Sequence, residues 1–296
     1  MNAPETPDDR DPSRPVSVRA EDPRAVLARH GLAAKKSWGQ NFLVDKNIHD
    51  KIVRAAATSA DDVIVEIGAG LGTLTTALLL GTPTPRRIIA VERDPDMLAV
   101  LHAELGREAR VDIRGEDAAQ FDFGAAARDA GGSVVVVGNL PYQITTTLLF
   151  AMVDAGTAVR RAIVMVQREF AERVVAPPGS KTYGRLSVMV QQQMEARMLF
   201  RVSPGSFYPA PTIVSAVMSL AIRPAPLAPV RDSALFARVV KTAFSTRRKM
   251  LRRSLGDGFG DDAASAAFDV AGIDGRRRPE ELSIADFARL ADALHA

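Results

Sequence analysis

The chain has 296 residues, of which 47% are hydrophobic and 25% charged, values ordinary for a soluble globular protein with one large folded unit and a small one. It contains no cysteine, which excludes disulfides, thiolate catalysis and Cys-ligated zinc. Lys and Arg total 38 against 35 Asp and Glu, and a net charge of +3 does not by itself mark a nucleic-acid binder.

In chain order, residues 1–33 are rich in Pro, Asp and Arg and show little apolar periodicity. They read as a mostly disordered tail, with a short helix near Pro23–His30. The tail lacks the apolar centre of a secretory signal, and no apolar run is long enough to cross a bilayer. No membrane association and a cytoplasmic location are therefore expected.

From Lys35 the texture changes to KKSWGQNFLVDKNI. After Val63, short apolar runs alternate with helical stretches. Strands are expected at 63–67, 88–92, 110–113, 133–139 and 162–167, and helices at 71–80, 95–105 and 144–153. A helix near 184–193 and strands near 198–202 and 213–222 follow. Pro224, Pro226 and Pro229 then mark a linker, and only helices are expected beyond it. The fold class is α/β: a parallel sheet covered on both faces over residues 34–225, then a small all-helical unit over 226–296.

The first strand runs into EIGAGLG. Gly68, Gly70 and Gly72 allow a tight turn and close approach of a ligand to the backbone, though any tight strand-to-helix turn wants similar residues. A dinucleotide fingerprint needs a third glycine where Thr73 stands. Glu66, two residues before the loop, would repel a pyrophosphate and suits a cation such as the amino group or sulfonium of S-adenosylmethionine. Glu92 ends the second strand, where a carboxylate can accept both ribose hydroxyls. Asp117 follows the third strand and can accept an adenine amino group.

GNLPY (138–142) follows the fourth strand and faces the same crevice. The N6 lone pair of adenine is delocalised into the ring and is a poor nucleophile. Two acceptors that bind its two hydrogens pull the nitrogen towards tetrahedral geometry. The Asn139 side-chain oxygen and a backbone carbonyl held by Leu140–Pro141 can supply them, and Tyr142 can stack on the base. Phe207 and Tyr208 offer a second aromatic wall of the kind that grips a flipped base. Trp38, Gln40, Asn41 and Phe42 can cap the sheet or close over a cofactor. Near the C-terminus, Ser245 or Thr246 is expected to cap a helix running to about Leu255, with Met250, Leu251 and Leu255 on its apolar face. Arg248, Lys249, Arg252 and Arg253 gather on the opposite face, where they can hold phosphates without reading sequence.

Seven segments together resemble the ribosomal RNA adenine dimethyltransferase family: WGQNFL (38–43), EIGAGLGTLT (66–75), VERD (91–94), GNLPY (138–142), YGRLSV (183–188), FYPAPTIVSAV (207–217) and AFSTRRKMLRRSL (243–255). The resemblance implies a class I, Rossmann-like S-adenosylmethionine-dependent methyltransferase sheet with a small helical C-terminal domain. It implies cofactor contacts at Asn41, Leu43, Gly68, Glu92, Asp117 and Asn139, with the target base near Asn139, Leu140, Pro141, Tyr142 and Phe207. The implied reaction transfers methyl groups to N6 of two adjacent adenosines in a hairpin near the 3' end of 16S rRNA, giving N6,N6-dimethyladenosine late in small-subunit assembly. The implied partner is 16S rRNA or the small-subunit precursor, the implied protein is a monomer, and no metal is called for.

The family also holds enzymes that methylate 23S rRNA and confer macrolide resistance, but YGRLSV and RRKMLRRSL resemble the small-subunit branch more closely. An N6-adenine DNA methyltransferase shares the chemistry, yet usually carries an acid where this chain has Asn139. A non-catalytic ribosome assembly or transcription factor on the same fold would not need an intact tetrad and glycine loop. A small-molecule methyltransferase would not need the basic helix.

Overall fold

The computed structural model describes residues 19–35, 38–246 and 249–295. Most of the expected tail, residues 1–18, lies outside them. The expected short helix is α1 (Pro23–Arg29), with Asp22 accepting from Arg24 N as its N-cap. It is docked on the body: Val26 and Leu27 are buried against Leu71, Met97 and Val100, and Arg29 and His30 both reach Glu104.

The chain then runs β1 (Phe42–Leu43), α2 (Lys46–Ala56), β2 (Val63–Ile67), α3 (Thr73–Leu80), β3 (Arg87–Glu92), α4 (Pro95–Leu105), β4 (Val111–Gly115), α5 (Phe123–Ala130), β5 (Val134–Asn139), α6 (Thr145–Asp154) and β6 (Val159–Gln167). It continues through α7 (Arg168–Val174), α8 (Arg185–Gln193), β7 (Met194–Val202), β8 (Phe207–Tyr208) and β9 (Ser215–Ile222). Four helices end it: α9 (Ser233–Ala243), α10 (Leu251–Phe259), α11 (Asp261–Ala271) and α12 (Ile284–Leu294). No described helix is long and apolar enough to cross a membrane.

Seven strands form one sheet in the order β4-β3-β2-β5-β6-β9-β7. The first five are parallel, as their continuous apolar runs predict. Strand β9 pairs antiparallel with both β6 and β7. Only a 3-10 turn and β8 separate β7 from β9, and without a crossover helix the chain returns antiparallel.

Each inner strand is buried on both sides by alternate residues. Val63, Val65, Val134, Val136 and Val164 face one core with α5 to α8, while Ile64, Ile88, Val135, Val137 and Ile163 face another with α2 to α4.

The last four helices pack around Phe236, Val240, Leu255, Phe268 and Phe287, and this core also takes in Tyr183 and Val188 from before the proline linker. Here the expected helix start is corrected. Ser245 and Thr246 do not cap a helix; Ser245 Oγ donates to the Thr242 carbonyl and Thr246 Oγ1 bonds Ser254 Oγ. Helix α10 starts at Leu251, because its first N–H groups are satisfied by a neighbouring loop: Leu251 N donates to Arg277 O and Arg252 N to Gly275 O, both at 2.9 Å.

Gly138 sits where β5 passes closest to β2. A Cβ there would stand 2.4 Å from the Ile67 carbonyl oxygen, a backbone atom that cannot swing aside. Gly138→Ala is therefore expected to cost roughly 1–3 kcal/mol, the usual range for overpacking. Denaturant unfolding of the variant beside the parent protein checks this, and an unchanged midpoint would contradict it.

Candidate active site

Parallel strands end in the same direction, so the loops after β2, β3, β4 and β5 meet at one edge of the sheet. A cavity of about 430 Å³ opens there. Its wall includes Asn41, Leu43, Glu66, Gly68, Gly70, Glu92, Asp117, Asn139, Leu140, Pro141 and Tyr142. Residues nearly 100 positions apart in sequence thus share one surface.

The glycine loop is bonded to the next strand. Gly68 N and Ala69 N donate to the Val91 carbonyl, and Gly70 N donates to Glu92 Oε2 at 2.9 Å. Gly70 has φ +56, and a Cβ on it would meet the Phe42 ring at 3.3 Å, so backbone and ring enclose that part of the cavity only without a side chain. Glu92 Oε1 accepts from Arg93 N and Asp94 N. Glu92 is thus the brace of the loop before any ligand arrives, and a carboxylate's roughly four lone-pair sites leave room for a further donor.

Glu66 is 1% exposed and takes a 2.6 Å hydrogen bond from Thr75 Oγ1. Burial pushes its pKa up to about 8, the Thr75 hydrogen bonds oppose this, and the nearby Glu92 charge adds to it. A cationic ligand in the cavity would favour its ionised form. His49 is also on the wall, and burial drives it down to about 4, so it is neutral near pH 7.

At the tetrad, Asn139 Nδ2 donates to the Asn41 carbonyl at 3.2 Å, while Asn139 Oδ1 is buried with no partner among the described residues. A buried carbonyl oxygen left open in a cavity is a ready acceptor. The Pro141 carbonyl already accepts from Ile144 N and Thr145 Oγ1. The Leu140 side chain is buried in the core. The Tyr142 ring is pinned by its hydroxyl, 3.0 Å from Ser215 Oγ at the start of β9.

Two of the expected aromatic residues are absent from the cavity wall. Tyr208 is exposed, and Phe207 is 4% exposed and belongs to the core. It pairs with Leu43 across the two-stranded sheet that β8 makes with β1, beside Phe42 and Tyr208. Trp38 and Phe42 are the aromatic residues that join Tyr142 in lining the cavity.

Asp94 was not singled out from the sequence, yet it holds Lys35 and the strap of residues 38–41 to the body. It is 1% exposed, caps α4 through Asp96 N, and accepts from Lys35 Nζ at 2.9 Å and Gln40 Nε2 at 2.8 Å. Ser215 and Thr75 were missed as well. Each is a small polar residue inside an apolar pattern, and only its partner gives it meaning.

Of the four expected RNA-facing cations, Arg248 lies outside the described residues. Lys249 precedes α10 rather than riding on it, and its ammonium lies 3.8 Å from Asp257. Arg252 and Arg253 are exposed in the first turn of α10. Asp257, Asp261 and Asp274 share a groove with them, so this face is less purely basic than its sequence suggests.

The ribosomal RNA adenine dimethylase family model matches residues 31–296. A protein from Anaeromyxobacter dehalogenans, named ribosomal RNA small subunit methyltransferase A, is 46% identical over 289 residues, covering 94% of this chain and all of that one. The structure of the 23S rRNA methyltransferase ErmE is similar with TM-score 0.65 and 25% identity, covering 86% of this chain and 100% of that one. A dimethyladenosine transferase from Plasmodium falciparum shares the fold at TM-score 0.67 and 22% identity, covering 84% and 95%.

The Glu66 environment makes a stability prediction. An unfolded chain releases this proton near pH 4.5 and the folded chain near pH 8. Between those values the unfolded state holds fewer protons, so the group costs increasing stability as pH rises, with a slope of at most about 1.4 kcal/mol per pH unit. Glu66→Gln should remove that contribution. Its melting temperature relative to the parent protein should rise from pH 5 to pH 8; a constant difference would mean that Glu66 is ionised in the folded state.

Proposed function

The chain belongs to the ribosomal RNA adenine dimethylase family, and from that membership we propose that it transfers methyl groups from S-adenosylmethionine to N6 of two adjacent adenosines in small-subunit rRNA. The observation that carries the chemistry is the open, buried Asn139 Oδ1 in the cavity that the glycine loop and Glu92 also line. The near full-length similarity to proteins named for the small subunit favours that target over the 23S substrate of the structural relative.

The residues fit the cofactor. Glu66 and Glu92 give the cavity an acidic side for a ligand bearing a sulfonium and an ammonium, Glu92 keeps room for one ribose hydroxyl, and Asp117 for an adenine amino group. When bound, S-adenosylmethionine supplies an electrophilic methyl group. Asn139 Oδ1 and the Leu140 carbonyl then accept the two N6 hydrogens of the target base, localising the lone pair on nitrogen. The bond from Asn139 Nδ2 to Asn41 keeps the amide turned so that its oxygen faces the base. Tyr142, fixed by Ser215, offers its ring to the base. No strong base is required, because the nitrogen proton becomes acidic once the methyl is attached. The helical unit over 226–296 is read as the RNA-docking part, with Arg252 and Arg253 contacting phosphates.

The deciding experiment is methylation of small subunits that lack these modifications, using labelled cofactor and mapping of the labelled nucleotides. Absence of label from small-subunit RNA, with label on large-subunit RNA or DNA offered in parallel, would overturn the assignment. Asn139→Ala should lower turnover far more than RNA affinity, the pattern of an interaction realised in the transition state. Tyr142→Ala should lose about 1–3 kcal/mol of base stacking. Reversing charge at Arg252 and Arg253 together should weaken RNA binding and flatten its salt dependence while leaving cofactor affinity intact; an unaltered salt slope would remove α10 from the docking surface.

A further inference from the structure

Two residues of the cavity wall, Trp38 and Arg93, have no part in the chemistry above. Arg93 directly follows Glu92, and its guanidinium carbon lies 5.2 Å from the centre of the Trp38 ring. One guanidinium nitrogen stands 3.4 Å from Asp117 Oδ2. The Lys35 ammonium is also over the indole, at 5.4 Å. Trp38, Arg93 and Asp117 all line the cavity, with Ala118 beside them. Trp38 is 40% exposed, a large apolar ring left open to solvent, yet the strap on either side of it is tied to Asp94 through Lys35 and Gln40. An exposed ring held at a cavity mouth is placed there by contacts other than its own burial.

The Arg93–Asp117 pair is loosely made. Asp117 Oδ1 is committed to Ala119 N at 3.0 Å, so Oδ2 is the oxygen available to a ligand. The 3.4 Å contact is longer than a good charge-assisted hydrogen bond, and the guanidinium is 55% exposed, so water competes for it. A purine amino group that reaches Oδ2 displaces little. The guanidinium is planar, weakly hydrated and suited to lie on aromatic faces, so it has a place against Trp38 after leaving Asp117.

We propose that Trp38 and Arg93 are cofactor-positioning residues that close a cation–aromatic clamp over the adenine of the cofactor. The purine amino group takes Asp117 Oδ2 from Arg93, and the indole and guanidinium cover the purine. This rests on Asp117 being the acceptor for the adenine amino group, as read above. It also explains why the strap is latched so firmly: Asp94 holds Trp38 at the mouth of the cavity rather than letting the ring collapse onto the sheet.

The test uses the full chain and S-adenosylhomocysteine, which carries the same adenosine. Trp38 is the single tryptophan, so its fluorescence reports on the clamp alone. Ligand should change Trp38 emission saturably, with the Kd found by calorimetry. Trp38→Ala and Arg93→Ala should each raise the calorimetric Kd about tenfold, and Trp38→Phe should restore it to within about threefold of the parent protein. A general loss of folding would not be repaired by one ring for another in this way. If the parent protein binds S-adenosylhomocysteine while Trp38→Ala binds it equally well, or Trp38 emission does not respond, the clamp is overturned and the methyltransferase reading stands. If the parent protein does not bind it at all, both readings fall together.

Discussion

Parallel pairing of β2 with β3 on one side and β5 on the other brings three loops to one edge of the sheet. The register fixes more than direction. Glu66 lies opposite Ala90 and Val137, and Ile67 opposite Val91, so the glycine loop begins where β3 delivers Glu92 and β5 delivers Asn139. Gly138 sets how closely β5 can run past Ile67 there. Because a parallel pair has no tight turn to define its ends, this close approach and the bond from Gly70 to Glu92 do that work. The distance between the glycine loop and the 138–142 loop is thus a property of the sheet, which is why both loops can be short.

The sheet alone leaves the cavity open on one side. The strap of residues 38–43 covers it, and it is held from two directions. At one end a buried carboxylate, Asp94, binds Lys35 and Gln40; at the other, β1 pairs with β8. Between these anchors Asn41 uses its carbonyl to orient Asn139. Breaking either anchor would therefore reach the Asn139 amide through the strap.

The parallel core was legible because its strands are continuous apolar runs bounded by glycine, acid and proline signals. VIVEI, IIAVE and SVVVVGN leave little alternative to buried strands, and the loops after them carry the chemistry-bearing residues. The sequence was opaque where a partner decides the outcome. Two-residue strands such as Phe42–Leu43 have no period to detect, so the pairing that buries Phe207 beside Leu43 could not be foreseen. The start of α10 was placed too early because Ser245 and Thr246 look like caps. The structure caps that helix instead with carbonyls of Gly275 and Arg277, about 25 residues away in sequence and invisible to any local rule. Asp94 likewise reads as an ordinary helix N-cap, and it is one; its second task appears only when Lys35 and Gln40 arrive.

Charge shows the same division between local and assembled meaning. The cavity gathers Glu66, Glu92, Glu116 and Asp117 around a site for a cationic ligand, whereas exposed Arg252 and Arg253 lie on a helix built into a different core. A chain serving a cationic cofactor and an anionic polymer needs both signs, held apart so that neither ligand is drawn to the wrong surface. The net charge of +3, taken over the whole chain, does not show these local fields. The acids within the α10 groove sharpen the point. Asp257, Asp261 and Asp274 reduce the field around Arg252 and Arg253, so an anionic group at this groove would depend on close contact rather than on long-range attraction. The core shared by Tyr183, Val188 and the four final helices ties α10 to residues that precede the proline linker.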